Sequence, residues 1–306
     1  MGLFLTDPKC IKQREIVNIP AWHEHGYLGE GLVIFHDDLG KTSHNDCCVD
    51  IIQTILPKAM VYSGSIASYV SNGKITECNI TCNETGEYMP FEDFIVKYKV
   101  NQINNSTTGG KNNNDSPMAI YMREMINKYN LIGTGAFGNY SDTPTNRFQG
   151  AFIMVSGVTI RADGTYADYG VMGEACDFAM FMGYQFGTSF SAPFLNGIIG
   201  LIRSKYGMVT QEWVYEYLKE HCQDLGIAGK DPQFGWGLPI LGEPIMEVKM
   251  TIGSKIMYVD GNPVTIDQEP FITSNDRTVA PVRYVAEPFG IEVLWDAKTK
   301  EITFRR

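Results

Sequence analysis

Short apolar runs of strand length alternate with apolar residues at helical spacing through most of the chain, and this alternation restricts the fold more than any other feature. Residues 31–36, Gly-Leu-Val-Ile-Phe-His, have the length and composition of a strand buried on both faces. A helical repeat follows at Cys47, Cys48, Ile51, Ile52 and Ile55. Strands that alternate with helices predict an α/β fold with a mostly parallel sheet flanked by helices.

The same alternation continues beyond the first two elements. Further strand-like segments are residues 60–62, 94–100, 131–136 and 152–155, and further helix-like segments are residues 63–71 and 118–129. In sheets of this type, ligands bind where the carboxyl ends of the strands meet the loops. Polar residues directly after a predicted strand are therefore the first candidates for a functional site.

The pattern changes near residue 246. Residues 255–259 and 263–266 form a predicted hairpin joined through Asp260-Gly261-Asn262, a strong turn sequence. A short helix near residues 282–289 and two strands, residues 292–295 and 301–304, complete the predicted elements. We expect one α/β domain over residues 1–245 and a small α+β domain over residues 246–306.

Composition narrows the classes of partner. The formal net charge is -10 over 306 residues, which argues against nucleic acid or an anionic membrane surface as the main partner. No stretch is long and apolar enough to span a bilayer, and the start lacks the features of an export signal, so we expect a cytoplasmic protein.

Seven cysteines, an odd number, suit a reducing compartment. Cys78 and Cys82 lack a second Cys or His pair nearby, so no metal site is predicted.

The segment Gly187-Thr188-Ser189-Phe190-Ser191-Ala192-Pro193 directly precedes a strongly apolar helical pattern. Ser189 would lie in the first turn of that helix, near its positive end. It is therefore either a helix cap, which is common for serine, or a nucleophile. A serine acts as a nucleophile only with a base and a group that orients the base.

Three other residues could supply those groups. Of the five histidines, His44 is the best candidate for the base because it directly precedes the predicted helix at residues 47–55. Asp38 follows the first strand and could orient it. Asn139 ends a later strand and could donate its amide to an oxyanion. Each could instead be a cap or a turn residue.

Residues 101–115 are rich in Asn, Ser, Thr and Gly, which is typical of a surface loop. The first part of this segment leaves a strand, where the backbone of a substrate could pair. The candidate substrate-binding residues are Asn105, Ser106, Thr107, Thr108 and Gly109.

These residues resemble the motifs of the subtilisin-like serine proteases (peptidase S8). Residues 19–40 resemble the family segment that closes on Asp-Ser/Thr-Gly, and residues 44–47 occupy the position of its His-Gly-Thr-His. Residues 137–139, 187–193 and 234–237 match its Ala-Gly-Asn, Gly-Thr-Ser-Met-Ala-x-Pro and Tyr-Gly-x-Gly segments. The likeness covers roughly residues 17 to 242, and the chain order Asp, His, Ser is that of the family.

The resemblance implies a serine endopeptidase that hydrolyses peptide bonds in a polypeptide substrate. Ser189 would attack the scissile carbonyl, His44 would relay the proton, and Asp38 would hold the imidazole. Asn139 and the Ser189 amide would bind the oxyanion. Residues 105–109 stand where a family strand pairs with the substrate.

Several departures leave an alternative open. Only five residues separate Asp38 from His44, Asn45 and Cys47 replace a glycine and a histidine of the family motif, and Phe190 replaces a methionine. The alternative is a catalytically restricted or inactive pseudoprotease that binds a peptide or a protein partner. A lipase or esterase is disfavoured because no Gly-x-Ser-x-Gly surrounds Ser189.

The end of the chain has its own resemblance. Residues 266–272, 275–290 and 293–296 are similar to the copper amine oxidase N-terminal-like module, which is common in Gram-positive, clostridia-like proteins. Residues 246–306 contain no His and no Cys, so we predict no copper there and no cofactor for the protein, with structural calcium left open. The resemblance implies an accessory domain that docks a protein partner.

Overall fold

A nine-stranded sheet organises the larger of the two units in this computed structural model, which describes residues 2–38, 40–107, 116–139, 148–244 and 246–305. The chain divides between Glu243 and Pro244, two residues before the boundary expected from the sequence. The strands of the sheet are β1 (Val33–Asp37), β2 (Met60–Ser71), β3 (Lys74–Cys82), β4 (Tyr88–Pro90), β5 (Gln102–Asn105), β6 (Ile132–Ala136), β7 (Ile153–Ile160), β8 (Tyr166–Tyr169) and β9 (Phe178–Phe181). A separate pair consists of β10 (Cys222–Gln223) and β11 (Leu238–Pro239).

The sheet is mostly parallel, as predicted. Its strand order is β4-β3-β2-β1-β5-β6-β7-β8, with β9 paired to β7. The pairs β1/β2, β1/β5, β5/β6, β6/β7 and β7/β9 are parallel, whereas β2/β3, β3/β4 and β7/β8 are antiparallel. The helices of this unit are α1 (Leu3–Thr6), α2 (Pro8–Ile16), α3 (Ile19–Glu24), α4 (Ser43–Ile55), α5 (Phe91–Tyr98), α6 (Pro117–Tyr129), α7 (Thr188–Tyr206) and α8 (Gln211–Glu220). The predicted α/β class is confirmed.

Two local predictions were wrong. Residues 63–71 belong to the long strand β2, which turns back into β3 through Asn72 and Gly73 at φ values of 50° and 73°. An Asn-Gly pair with two positive φ angles is the turn that suits a tight hairpin. Residues 94–98 lie in helix α5, because Phe91, Phe94 and Ile95 bury one helical face.

Apolar residues cover both faces of the sheet. Successive side chains of a strand point to opposite faces, and the neighbours Ile34 and Phe35 belong to two separate buried clusters. Helices α4 and α7 pack in the first cluster, where a Cβ added at Gly200 would lie only 2.2 Å from a Leu56 methyl carbon. This close approach fixes α7 beside α4, and each helix carries a candidate catalytic residue in its first turn.

The described residues of the smaller unit form short strands and one α-helix. Its elements are β12 (Val248–Met250), β13 (Ile256–Val259), β14 (Asn262–Thr265), β15 (Phe271–Ile272), β16 (Thr278–Val279), α9 (Val282–Ala286) with a 3₁₀ turn at Glu287–Phe289, β17 (Glu292–Asp296) and β18 (Glu301–Arg305). The turn between β13 and β14 uses Asp260 and Gly261, both at positive φ. Among the described residues, no helix has the length and hydropathy needed to cross a membrane.

Candidate active site

Asp38 and His44 lie in direct contact at the carboxyl end of β1. The backbone amide of Asp38 donates to the Gly64 carbonyl at 2.7 Å, and the side chain is 2% exposed. His44 lies in the first turn of α4, where Thr42 caps the helix by accepting from the Asn45 amide. The Nδ1 of His44 donates to Oδ2 of Asp38 at 2.6 Å. With its proton on Nδ1, the imidazole presents the lone pair of Nε2, as a general base requires.

Asp37, the neighbouring carboxylate, has a structural role. Its Oδ1 accepts from the Ile66 amide at 2.8 Å, and its Oδ2 accepts from Nδ2 of Asn105 at 2.7 Å. These bonds connect β1 to the strands on both sides, since β1 pairs with β2 and β5. The preference for Asp38 over Asp37 as the orienting acid is therefore consistent with the contacts of both side chains.

The first turn of α4 is anchored by Asn45. Asn45 is buried, and its Nδ2 donates to Oγ of Ser63 at 3.3 Å. Ser63 in turn donates from both its amide and its hydroxyl to the Glu84 carboxylate, each at 2.7 Å. The β3–β4 region thus holds the first turn of α4.

Ser189 is the second residue of α7 and is partly exposed. Its carbonyl lacks the usual helical donor because the residue four positions later is Pro193, which has no N–H. Ser106 replaces that donor through its hydroxyl at 2.7 Å, and the Cys48 thiol approaches the same oxygen at 3.4 Å. Within the described ranges, no hydrogen bond joins Oγ of Ser189 to His44. Such bonds are often long in unliganded enzymes.

Asn139 lies against the residue before Ser189. Its Oδ1 accepts from the Thr188 amide at 3.1 Å, while the Gly138 amide donates to the Thr188 hydroxyl at 3.1 Å. The first bond orients the Asn139 side chain through its oxygen, and the second holds the preceding backbone against Thr188. Its Nδ2, the atom that the predicted oxyanion role needs, is at the other end of the amide.

Phe190 contacts the imidazole from the helix of the serine. Its ring centroid lies 5.0 Å from that of His44, with an interplanar angle of 53°, and its side chain is buried. The sequence singled out Phe190 as a replacement for a methionine that could narrow the floor of the substrate pocket. In the structure it is a packing partner of His44.

The candidate substrate-binding residues divide into three groups. Asn105 and Ser106 are buried, and their side chains bond to Asp37 and to the Ser189 carbonyl. Thr107 is half-buried, and its hydroxyl accepts from Asn105. Thr108 and Gly109 lie outside the described residues. Backbone pairing with a substrate stays a prediction.

A buried polar cluster lies beneath the site and was not predicted. His36, two positions before Asp38 on β1, is fully buried, and its Nε2 lies 3.4 Å from Oδ2 of Asp38. Cys48 is buried nearby, and desolvation raises the pKa of its thiol. Among the described residues, His36, Asp38 and Cys48 are the group whose spacing could hold a metal ion. The sequence signal for His36 was a polar residue two positions before Asp38, a spacing at which the side chains of an extended chain point to the same face.

Solved structures with a similar fold are proteases. Fervidolysin from Fervidobacterium pennivorans, a keratinolytic enzyme related to subtilisin, superposes with a TM-score of 0.55 at 13% identity over 76% of this chain and 45% of its own. The serine protease MycP1 of the type VII (ESX-1) secretion system gives 0.54 at 13% identity, over 78% and 88%. A lanthipeptide protease gives 0.53 at 14% identity, over 75% and 93%.

Curated relatives match short segments. The Neisserial autotransporter lipoprotein NalP of Neisseria meningitidis is 42% identical over 52 residues, which are 17% of this chain and 5% of that protein. An extracellular serine protease of Serratia marcescens is 33% identical over 70 residues, which are 23% of this chain and 7% of that protein. The matches thus span a small part of these relatives.

The family model of the copper amine oxidase N-terminal domain matches residues 244–304, which correspond to the smaller unit. This unit offers no His or Cys side chain, the donors that copper prefers in proteins, so its residues do not fit a copper site. The larger unit therefore has the fold of the subtilisin-like proteases, and the smaller unit resembles the copper amine oxidase N-terminal domain.

Proposed function

We propose that the protein is a serine endopeptidase that hydrolyses peptide bonds with Asp38, His44 and Ser189, assisted by Asn139. In this proposal His44 removes the proton of Ser189 as the hydroxyl attacks the scissile carbonyl, and later gives that proton to the leaving amine. Asp38 stabilises the imidazolium that forms. The Ser189 amide and Nδ2 of Asn139 donate to the developing oxyanion.

The observation that carries the proposal is the 2.6 Å hydrogen bond from Nδ1 of His44 to the buried carboxylate of Asp38. An Asp38 or His44 that served only as a helix cap or a turn residue would not need this bond. It selects the imidazole tautomer whose Nε2 can accept a proton. The first turn of α7 adds support, because Thr188 connects Asn139 to the residue directly before Ser189.

The proposal is tested by cleavage of a proteome-derived peptide library, with the products identified by mass spectrometry. We expect the full chain to cut peptides internally and Ser189→Ala to cut none. Ser191→Ala is the matched control, because Ser191 lies on the same helix but its hydroxyl is buried and donates to the Met180 carbonyl. Equal cleavage by the wild type and Ser189→Ala would refute the proposal.

A second candidate function is peptide binding without turnover. It is favoured by one observation, that no hydrogen bond between the Ser189 hydroxyl and His44 occurs within the described part of the chain. This candidate predicts that peptides bind equally well to the wild type and to Ser189→Ala, with no cleavage by either. The library experiment separates the two functions.

The remaining parts of the proposal concern ligands. We propose that catalysis needs no cofactor, since the residues named above supply a nucleophile, a base and oxyanion donors. A polypeptide is the proposed substrate. The smaller unit is proposed to dock a protein partner, supported by its match to an accessory domain family and by exposed aromatic side chains such as Phe271, Trp295 and Phe304.

A further inference from the structure

His36 is a buried polar residue that the proposed mechanism does not use. It lies on β1 with no exposed surface, and it is paired in register with Asn104 on β5. Its Nδ1 lies 2.9 Å from Nδ2 of Asn104. Its Nε2 lies 3.4 Å from Oδ2 of Asp38 but makes no well-aligned hydrogen bond. What His36 can do depends on which of its two nitrogens carries the proton.

The orientation of Asn104 decides this question, and one end of a hydrogen-bond chain fixes that orientation. Nδ2 of Asn196 donates to the Ile103 carbonyl, which can only accept, so Nδ2 and not Oδ1 also faces Thr134 at 3.1 Å. Thr134 Oγ1 therefore accepts from Asn196 and donates its own hydroxyl hydrogen to Asn104, at 2.9 Å. Asn104 must present its oxygen there.

The other end of the chain gives the same answer independently. Ser106 donates its single hydroxyl hydrogen to the Ser189 carbonyl at 2.7 Å. It can therefore only accept from Asn104, whose Nδ2 lies 2.9 Å away. Both ends require that Nδ2 of Asn104 faces Ser106 and His36. The Nδ1 of His36 is then an acceptor, and the proton of the neutral ring is on Nε2.

We propose that His36 is a positioning residue for the catalytic carboxylate, an inference that rests on the proposed function. Its Nε2 lies 3.4 Å from the oxygen of Asp38 that also accepts from His44, near enough for a favourable electrostatic contact but without a well-aligned hydrogen bond. Two imidazole N–H groups thus lie close to one buried carboxylate oxygen. Asn104 joins this support to the nucleophile, because the same amide group donates to His36 and to Ser106, which holds the Ser189 carbonyl.

A metal ion at His36, Asp38 and Cys48 is the competing use of this cluster. Metal binding needs a lone pair on Nε2 of His36 and a thiolate at Cys48. The hydrogen-bond chain puts a proton on that nitrogen, and desolvation raises the pKa of the Cys48 thiol. The arrangement therefore favours a hydrogen-bonded carboxylate over a metal ligand.

The tautomer can be tested without any enzymatic activity. In ¹H–¹⁵N spectra of the histidine rings, we expect His36 to be protonated at Nε2 and unprotonated at Nδ1, with His44 protonated at Nδ1. The five rings are assigned by single substitutions. The opposite tautomer of His36, or a loss of its Nε2 proton on addition of Zn²⁺, overturns the proposal. This test remains decisive even if the wild type cleaves no peptide, a result that would count against the proposed function alone.

A kinetic test uses His36→Val and His36→Gln in the full chain. Valine removes the donor, and we expect kcat to fall about tenfold, the factor that 1.4 kcal/mol of lost transition-state stabilisation produces, with KM unchanged. Glutamine restores an N–H near the Nε2 position and should recover kcat to within about threefold of the wild type, which is half of the tenfold loss on a logarithmic scale. His23→Gln is the control, because His23 is a half-buried histidine that bonds the Ile55 carbonyl instead. An unchanged kcat in a folded His36→Val protein, or equal losses in both variants, overturns the proposal.

Discussion

The carbonyl of Ser189 provides the sharpest quantitative prediction. It has no helical donor because Pro193 lacks an N–H, and it accepts instead from the Ser106 hydroxyl at 2.7 Å. Ser106→Ala removes that donor and leaves only the weak thiol of Cys48 at 3.4 Å. The carbonyl lies against the buried residues Ser106 and Cys48, and leaving such an acceptor without its partner costs about 1–3 kcal/mol, so we expect the larger unit to lose about 2 kcal/mol of stability. For a domain of this size that is a decrease in Tm of roughly 4–8 °C, at 2–4 °C per kcal/mol.

Pro193→Ala supplies the test of this reasoning. Alanine restores an N–H at the position from which the helix would donate to Ser189, so the Ser106 hydroxyl becomes partly redundant. We expect Ser106→Ala to cost about 1 kcal/mol less in the Pro193→Ala background than in the wild type, a coupling typical of contacting residues. The recovery is partial because Ser106 also accepts from Asn104.

Scanning calorimetry of the four proteins measures the cycle, since it resolves the transition of the larger unit from any separate transition of the smaller one. Equal costs of Ser106→Ala in the two backgrounds would refute the claim that the hydroxyl replaces the missing helical donor.

Two further predictions concern the supports of α4 and α3. Glu84→Ala removes the acceptor of both donors of the buried Ser63. Because Glu84 itself is exposed, water can replace part of the lost bonding, so we expect a cost of about 1 kcal/mol and a decrease in Tm of roughly 2–4 °C. Glu77→Ala, at an exposed position of β3, should leave the Tm unchanged. Desolvation lowers the pKa of His23, so the unfolded chain binds more protons, and stability should fall as the pH drops below about 6.5. His23→Gln should flatten the pH dependence of Tm between pH 7 and 5, and an unchanged slope would contradict this assignment.

The sequence predicted the parts of the molecule that depend on local pattern. The apolar run before Asp38 and the helical repeat after His44 became β1 and α4, because their hydrophobic periods match the faces that they bury. The turn at Asp260 and Gly261 formed as predicted, since both residues tolerate positive φ. The predicted base and orienting acid lie in contact because strand ends and helix starts meet at the same edge of the sheet.

The remaining features depend on tertiary partners that no local pattern reveals. The Asn72-Gly73 turn was a readable signal, but the small residues before it also suited a helix, and pairing with β3 decided the outcome. The roles of Asn45 and Ser106 depend on Ser63 and Ser189, which are distant in sequence. The tautomer of His36 follows only from a chain of hydrogen bonds across β1, β5, β6 and α7.

Covalent labelling of Ser189 distinguishes a reactive nucleophile from a helix cap. The full chain is treated with a fluorophosphonate probe, and the modified residue is located by tandem mass spectrometry. We expect a single adduct on Ser189, no adduct in Ser189→Ala, and labelling slowed by orders of magnitude in His44→Ala, because the hydroxyl then lacks its base. Labelling of Ser189→Ala at the wild-type rate, or an unchanged rate in His44→Ala, would contradict this expectation.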